Sequence, residues 1–185
     1  MGTQRTLATL QGLLADNTTG DISPQDLRDL VETLAHDHGE LSISSPVETT
    51  IDTVDVWKKM AGTTVISPGV NHHFDMPVDN RLRFTGDADR LMHIAVSIGV
   101  TPAASNKTLE FMVAKNGNAA DVNSLPSVIQ MTLPNQNITV ATTLHAFIPM
   151  SPNDYIEVWC RNVTDATNLT AETLNFVAIG MPAMS

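Results

Sequence analysis

The sequence predicts a mainly β protein: an antiparallel jelly-roll sandwich preceded by a short N-terminal arm and one α-helix. Three observations carry this prediction. From about residue 40 onward, apolar residues alternate with polar ones in short runs bounded by Gly, Pro, Asn and Asp, the strand signature. Helical periodicity is confined to residues before Gly39. No helical pattern lies between the strands, so the crossovers that a parallel sheet requires are missing. The chain therefore divides into an arm-and-helix region, 1–39, and a β domain, 40–185.

In the arm, residues 3–15 place Leu7, Leu10, Leu13 and Leu14 on one side of a short amphipathic helix or extended segment. At this length it is marginal alone and needs a surface to lie against. Asp16 to Asp21, DNTTGD, is a turn-forming linker. Ser23 then caps the clearest helix, expected over 24–37, with Pro24 at the first position and Asp26 at the third. Ile22 and Leu27 are placed as a hydrophobic staple, and Leu27, Leu30, Val31 and Leu34 form one apolar stripe. Asp29 and Glu32 are expected on the solvent face. His36 and His38 fall near the negative end, and Gly39 is placed to terminate the helix.

Strands are expected around Leu41–Ile43, Val54–Lys59, Thr63–Ile66, His72–Asp75, Arg81–Thr85, Leu91–Val100, Thr108–Ala114, Val128–Leu133, Ile138–Ile148, Tyr155–Val163 and Thr173–Met181. The most regular stretch is Leu144–Cys160, two apolar strands joined by the turn Pro149–Asp154. Ile156, Val158 and Cys160 share one face there, and Tyr155, Glu157 and Trp159 the other. Lys115-Asn116-Gly117-Asn118 is a strong turn signal.

Charged residues make up 16% of the chain, against about 25% in ordinary soluble domains. Few charges with abundant Thr, Asn, Ser and Val fit a β protein that buries surface in an assembly; the alternative is a Thr/Asn-rich β surface with no partner. The formal net charge is −10, and no basic stripe exists, which argues against phosphate-backbone binding, so no nucleic-acid partner is expected. No apolar run approaches transmembrane length and the N-terminus lacks a signal-peptide core, so no membrane insertion is expected. Met1-Gly2 with Thr6 half-meets the myristoylation pattern, and the sequons at Asn17, Asn106, Asn137, Asn162 and Asn168 read as Asn/Thr-rich loops.

Candidate chemistry is sparse. Cys160 is the single cysteine and reads as a buried apolar group. His72-His73-x-Asp75 gathers metal-ligand types, with His93 and His145 as possible additions, but a polar strand edge accounts for it; no metal and no cofactor is expected. No phosphate loop, nucleophile elbow, HExxH or CxxC is present. Aromatics are 4%, with Trp57, Trp159 and Tyr155 the whole stock of Trp and Tyr, so the platforms of a sugar-cleaving site are missing. The chain is not expected to be an enzyme, and a small hydrolase acting on cell-surface polysaccharide is the least favoured class.

Two stretches carry a family resemblance. Leu14 to Leu30, LADNTTGDISPQDLRDL, resembles an N-terminal segment of tailed-bacteriophage virion proteins, where it opens a short helix ahead of a β-rich exterior domain. Leu91–Ser97, LMHIAVS, and Pro152–Trp159, PNDYIEVW, look like strands of trimeric jelly rolls similar to tumour necrosis factor, which phages use in fibres and head decorations. The resemblance implies a homotrimer on the outer surface of a virion. It most directly implies a capsid decoration or cement protein whose partner is the major capsid protein. Docking candidates are Leu7, Leu10, Leu13 and Leu14, together with Leu27, Leu30, Val31 and Leu34, for which docking and packing beneath the β domain are both open. The alternative is a receptor-binding protein at a tail or fibre tip, partnered by a tail protein, with loops 116–126 and 164–172 recognising host glycan.

Overall fold

The computed structural model describes Arg5, Thr9, Leu10, Gly12 and residues 22–182. In chain order these form α1 (Pro24–Leu34), β1 (His38–Ser45), β2 (Glu48–Thr49), β3 (Lys58–Lys59), β4 (Thr63–Ile66), β5 (Phe74–Asp75), β6 (Leu82–Phe84) and β7 (Arg90–Pro102). There follow β8 (Lys107–Lys115), a 3-10 turn at Leu125–Ser127, β9 (Ile129–Leu133), β10 (Val140–Met150), β11 (Tyr155–Asn162) and β12 (Leu169–Pro182). One antiparallel sheet runs β10-β7-β12-β1-β4 with β2 on β12, and the other β5-β6-β11-β8-β9 with β3 on β11. This is the predicted jelly-roll sandwich. No helix among the described residues is long and apolar enough to cross a membrane.

Alternation builds the core. Met92, Ile94, Val96, Ile98 and Val100 of β7 point inward without exception, opposite Leu109, Phe111 and Val113 of β8 and Ile156, Val158 and Cys160 of β11. Burying each of the larger side chains stabilises the fold by about 1.5–3 kcal/mol. β10 and β11, the two strands of the most regular stretch, lie in opposite sheets. The turn between them carries the chain across the sandwich. Asp154 closes it, its backbone N–H donating to the Ser151 carbonyl at 3.0 Å while its carboxylate accepts from the Ser151 N–H at 2.8 Å.

Burial pushes the Cys160 thiol up to about 12, so no thiolate forms at neutral pH. Native protein is expected to leave a thiol reagent such as Ellman's unconsumed, with one equivalent reacting only after denaturation. Rapid modification of the native protein would mean that the sandwich opens at β11.

Two side chains tie loops to the sandwich. Asn80, buried at a left-handed φ of 51°, donates through Nδ2 to the carbonyls of Met60 and Val158, each at 2.9 Å, and its N–H donates to Thr64 Oγ1 at 2.8 Å. Glu157, predicted on the outer side of β11, is buried there beneath Arg81 (Nε at 2.8 Å) and Lys59 (Nζ at 3.0 Å), with the Trp159 indole N–H donating at 3.0 Å.

The helix is shorter than predicted. It ends at Leu34 because Ala35 turns extended, and β1 begins at His38, just inside the predicted arm. Gly39 therefore lies within a strand rather than at a helix end, with the Phe74 side chain against it where a Cβ would sit at 2.6 Å. Val54 and Val56 are exposed and outside any strand, since Asp55 at φ 61° breaks the extended run. Strand register sorts the connections into two ends. His38, Arg90, Met150 and Pro182 meet at the end next to α1; Thr49, Pro102, Val140 and Leu169 mark the other.

Candidate assembly surfaces and a histidine–carboxylate cluster

The capping box expected at Ser23 forms, with the Asp26 N–H donating to Ser23 Oγ at 3.2 Å and the Ser23 N–H to the Asp26 carboxylate at 2.9 Å. The Ser23 hydroxyl, donating to the same carboxylate at 2.7 Å, and the Ser23 N–H hold the Asp26 carboxyl below the usual carboxylate range. Beyond the cap, however, α1 faces the opposite way from a core helix. Asp29 and Thr33 are the buried residues, whereas Leu27, Val31 and Leu34 are 53%, 70% and 52% exposed. Leu30 is half-buried.

The expectation that Asp29 faces solvent is thus corrected, and the cause is the N-terminal segment. Asp29 and Thr33 lie four residues apart on one helix face. Arg5 covers both, its N–H donating to Thr33 Oγ1 at 2.8 Å and its Nε to Asp29 Oδ2 at 2.6 Å, while Gln25 Nε2 donates to Asp29 Oδ1 at 2.6 Å. The arm satisfies the polar face and leaves the apolar stripe outside; of the two placements open for the stripe, packing beneath the β domain is not the one adopted by Leu27, Val31 and Leu34. Leu10 is buried. Leu7, Leu13 and Leu14 lie outside the described residues.

A second apolar surface lies on the outer face of the sheet containing β7. Register aligns Pro149, Leu91 and Met181 in one row across three strands, Phe147, His93 and Ile179 in the next, and His145, Ala95 and Val177 in a third. Phe147 is 59% exposed, and Leu91, Ile179 and Met181 are exposed as well. The His93 ring stacks on His145 at 5.6 Å between centroids and tilts against Phe147 at 5.0 Å.

The histidines therefore part company. His93 and His145 belong to the sheet surface, and Asp75 pairs with Arg83, whose Nε donates at 2.9 Å. His72 and His73 turn the other way, toward α1. Glu32 Oε1 stands 3.5 Å from His72 Nε2 and 3.1 Å from His73 Nε2. Behind them Asp37 Oδ1 is 2.7 Å from His73 Nδ1, while Asp37 Oδ2 accepts from Arg90 Nε at 2.8 Å, a pair fully removed from solvent. Gly180 permits this approach. Its N–H donates to the Asp37 carbonyl at 2.7 Å, and a Cβ there would meet Asp37 Cβ at 2.9 Å and Met92 Sδ at 3.0 Å. Asp37 and Arg90 are 53 residues apart, and the sequence holds no local signal that they meet.

No protein-family model matches the chain, and no curated protein does. Solved structures do. Murine APRIL, in crystals at pH 5.0, superposes with a TM-score of 0.52 over 77% of this chain and 98% of its own, at 10% identity. The Eiger TNF of S. frugiperda gives 0.50 over 81% and 96%, at 11% identity. PRD1 vertex protein P5 gives 0.48 over 78% and 96%, at 11% identity. The first two likenesses establish a tumour necrosis factor-like jelly-roll fold.

Proposed function

We propose that this protein is a structural component of a bacteriophage virion, a homotrimer on the particle's outer surface whose N-terminal region docks on the major capsid protein as a decoration or cement protein. One observation carries the reading: α1 buries its polar residues under its own chain and presents Leu27, Val31 and Leu34 outward. An apolar helix stripe in water has no favourable partner until another surface covers it. It belongs to the segment whose sequence resembles virion attachment regions. The rows centred on His93, with Phe147 and Ile179 beside it, supply a flat apolar face for a second copy of the chain, which supports the trimer. Docking across neighbouring capsid subunits would stabilise the shell, because the protein binds only the assembled form and does so through several arms at once. The role is non-catalytic.

Two measurements test the reading. Light scattering of the purified chain at micromolar concentration is expected to give a trimer, and Phe147→Glu a monomer; a monomeric parent chain ends the trimer proposal. Copy number in purified particles is expected to be comparable to that of the capsid subunit. Val31→Asp, exposed and therefore harmless to the fold, is expected to lower particle occupancy about tenfold or more, as loss of one buried apolar contact plus burial of a charge implies. A handful of copies per particle would favour the tail or fibre-tip reading, for which the loop before β9, with exposed Val122 and Leu125, is the surface to mutate. Absence from particles overturns both.

A further inference from the structure

We propose that Glu32, His72 and His73 form a binding site for one divalent transition-metal ion of the zinc type, with Asp37 orienting His73 from behind. Their ligand atoms lie within 4.8 Å of one another. A tetrahedral ion bonded at about 2.0–2.2 Å holds its ligand atoms roughly 3.3–3.5 Å apart. The two Glu32 Oε1 separations, 3.1 and 3.5 Å, are close to that span.

The chemistry of the donors points the same way. Asp37 Oδ1, 2.7 Å from His73 Nδ1, fixes the ring proton on Nδ1 and leaves Nε2 as a lone pair. That lone pair points toward Glu32 Oε1, 3.1 Å away, a spacing that a shared metal ion fits. His72 Nε2 faces the same oxygen, and its ring centroid is 3.9 Å from that of His73. One metal ion satisfies all three lone pairs. His72 Nδ1 is buried without a hydrogen-bond partner and 3.8 Å from Asp37 Oδ1, so the same carboxylate backs both rings. Asp37 is neutralised by Arg90, which leaves Glu32 as the uncompensated charge, an arrangement suited to a dication.

The frame is set in advance. His73 is held at φ 58° by the His72–His38 backbone pair, with N···O distances of 2.8 and 3.1 Å, and by the Thr85 N–H donating to the His73 carbonyl at 2.8 Å. Glu32 comes from α1 and both histidines from the segment before β5. The ion would therefore fasten the helix to the β domain, leaving its fourth position to water. This site stands apart from the docking reading and does not depend on it.

Cobalt substitution is the test. Chelator-treated full-length protein is titrated with Co2+ and the visible spectrum followed, then Zn2+ is added. The expected result is one Co2+ per chain with the absorption of a four-coordinate ion, displaced by one equivalent of Zn2+. Glu32→Gln and His73→Gln are each expected to weaken binding at least tenfold, and Asp37→Asn about 10–100-fold, the usual cost of losing such a supporting carboxylate. Hydrogen exchange across 24–34 is expected to slow when Zn2+ is added. Glu32 is partly exposed, so Glu32→Gln remains folded and informative. Absence of the cobalt spectrum overturns the site. So does binding that persists in Glu32→Gln and His73→Gln but is lost in His93→Gln, which would move the metal to the sheet surface.

Discussion

Asp37→Ala is expected to lower the stability of the protein by about 3–5 kcal/mol, measured by urea unfolding in the presence of a chelator. The loss falls on Arg90. Its guanidinium and the Asp37 carboxylate are both 1% exposed, and their attraction offsets the cost of taking two charges out of water. Removing the carboxylate leaves a buried cation that donates through Nη1 to the Asp89 carbonyl at 3.2 Å, with Nη2 lacking a partner. Total stabilities of such domains are about 5–15 kcal/mol, so the loss is a large share, on the order of 10 °C in Tm. The double substitution Asp37→Leu, Arg90→Met is expected to recover much of it, because apolar groups of similar volume need no charge partner. A single-variant loss below about 1 kcal/mol would mean that water reaches Arg90 and that the pair is a surface feature.

Asn80→Ala is expected to cost about 2–4 kcal/mol. The buried Met60 carbonyl loses the Asn80 donor, and the Val158 carbonyl loses one of two donors, keeping the Met60 N–H at 3.0 Å. A left-handed φ of 51° adds about 1–2 kcal/mol for an alanine. Asn80→Gly separates the two contributions, since glycine adopts the same φ without strain but makes neither bond. Glycine is expected to be less damaging than alanine at this position despite its floppier unfolded chain. If the two variants unfold at the same urea concentration, the backbone conformation contributes nothing and the hydrogen bonds carry the whole effect.

Alternation made the sandwich readable: from Leu91 to Val100 every second side chain is core, and a period of two has one structural meaning over that length. Ser23, Pro24 and Asp26 likewise fixed the start of α1, because capping is local. Its end was misplaced for a non-local reason. Asp37 is drawn out of the helix toward Arg90 and His73, partners that no window of neighbouring residues contains. The same applies to Asp29, whose burial depends on Arg5 some 24 positions away. The histidine cluster was half visible. His72 and His73 stood out as ligand types, but their carboxylates come from Glu32 and Asp37 rather than the adjacent Asp75, since the strand hands Asp75 to Arg83. An apolar stripe shows only that something will cover it, and here the sequence left open which side that would be.

The pairing of His38 with Ile179 and of Arg90 with Pro182 gives the molecule a top and a bottom. Chain entering β1 and chain leaving β12 emerge together, beside α1. If that end faces the particle, a peptide fused after Pro182 would be pressed against the shell and compete with attachment. Residues 103–106 and 164–168, at the far end, are then the places to graft an epitope. A display scaffold built on this chain would carry its cargo in loops, not at a tail.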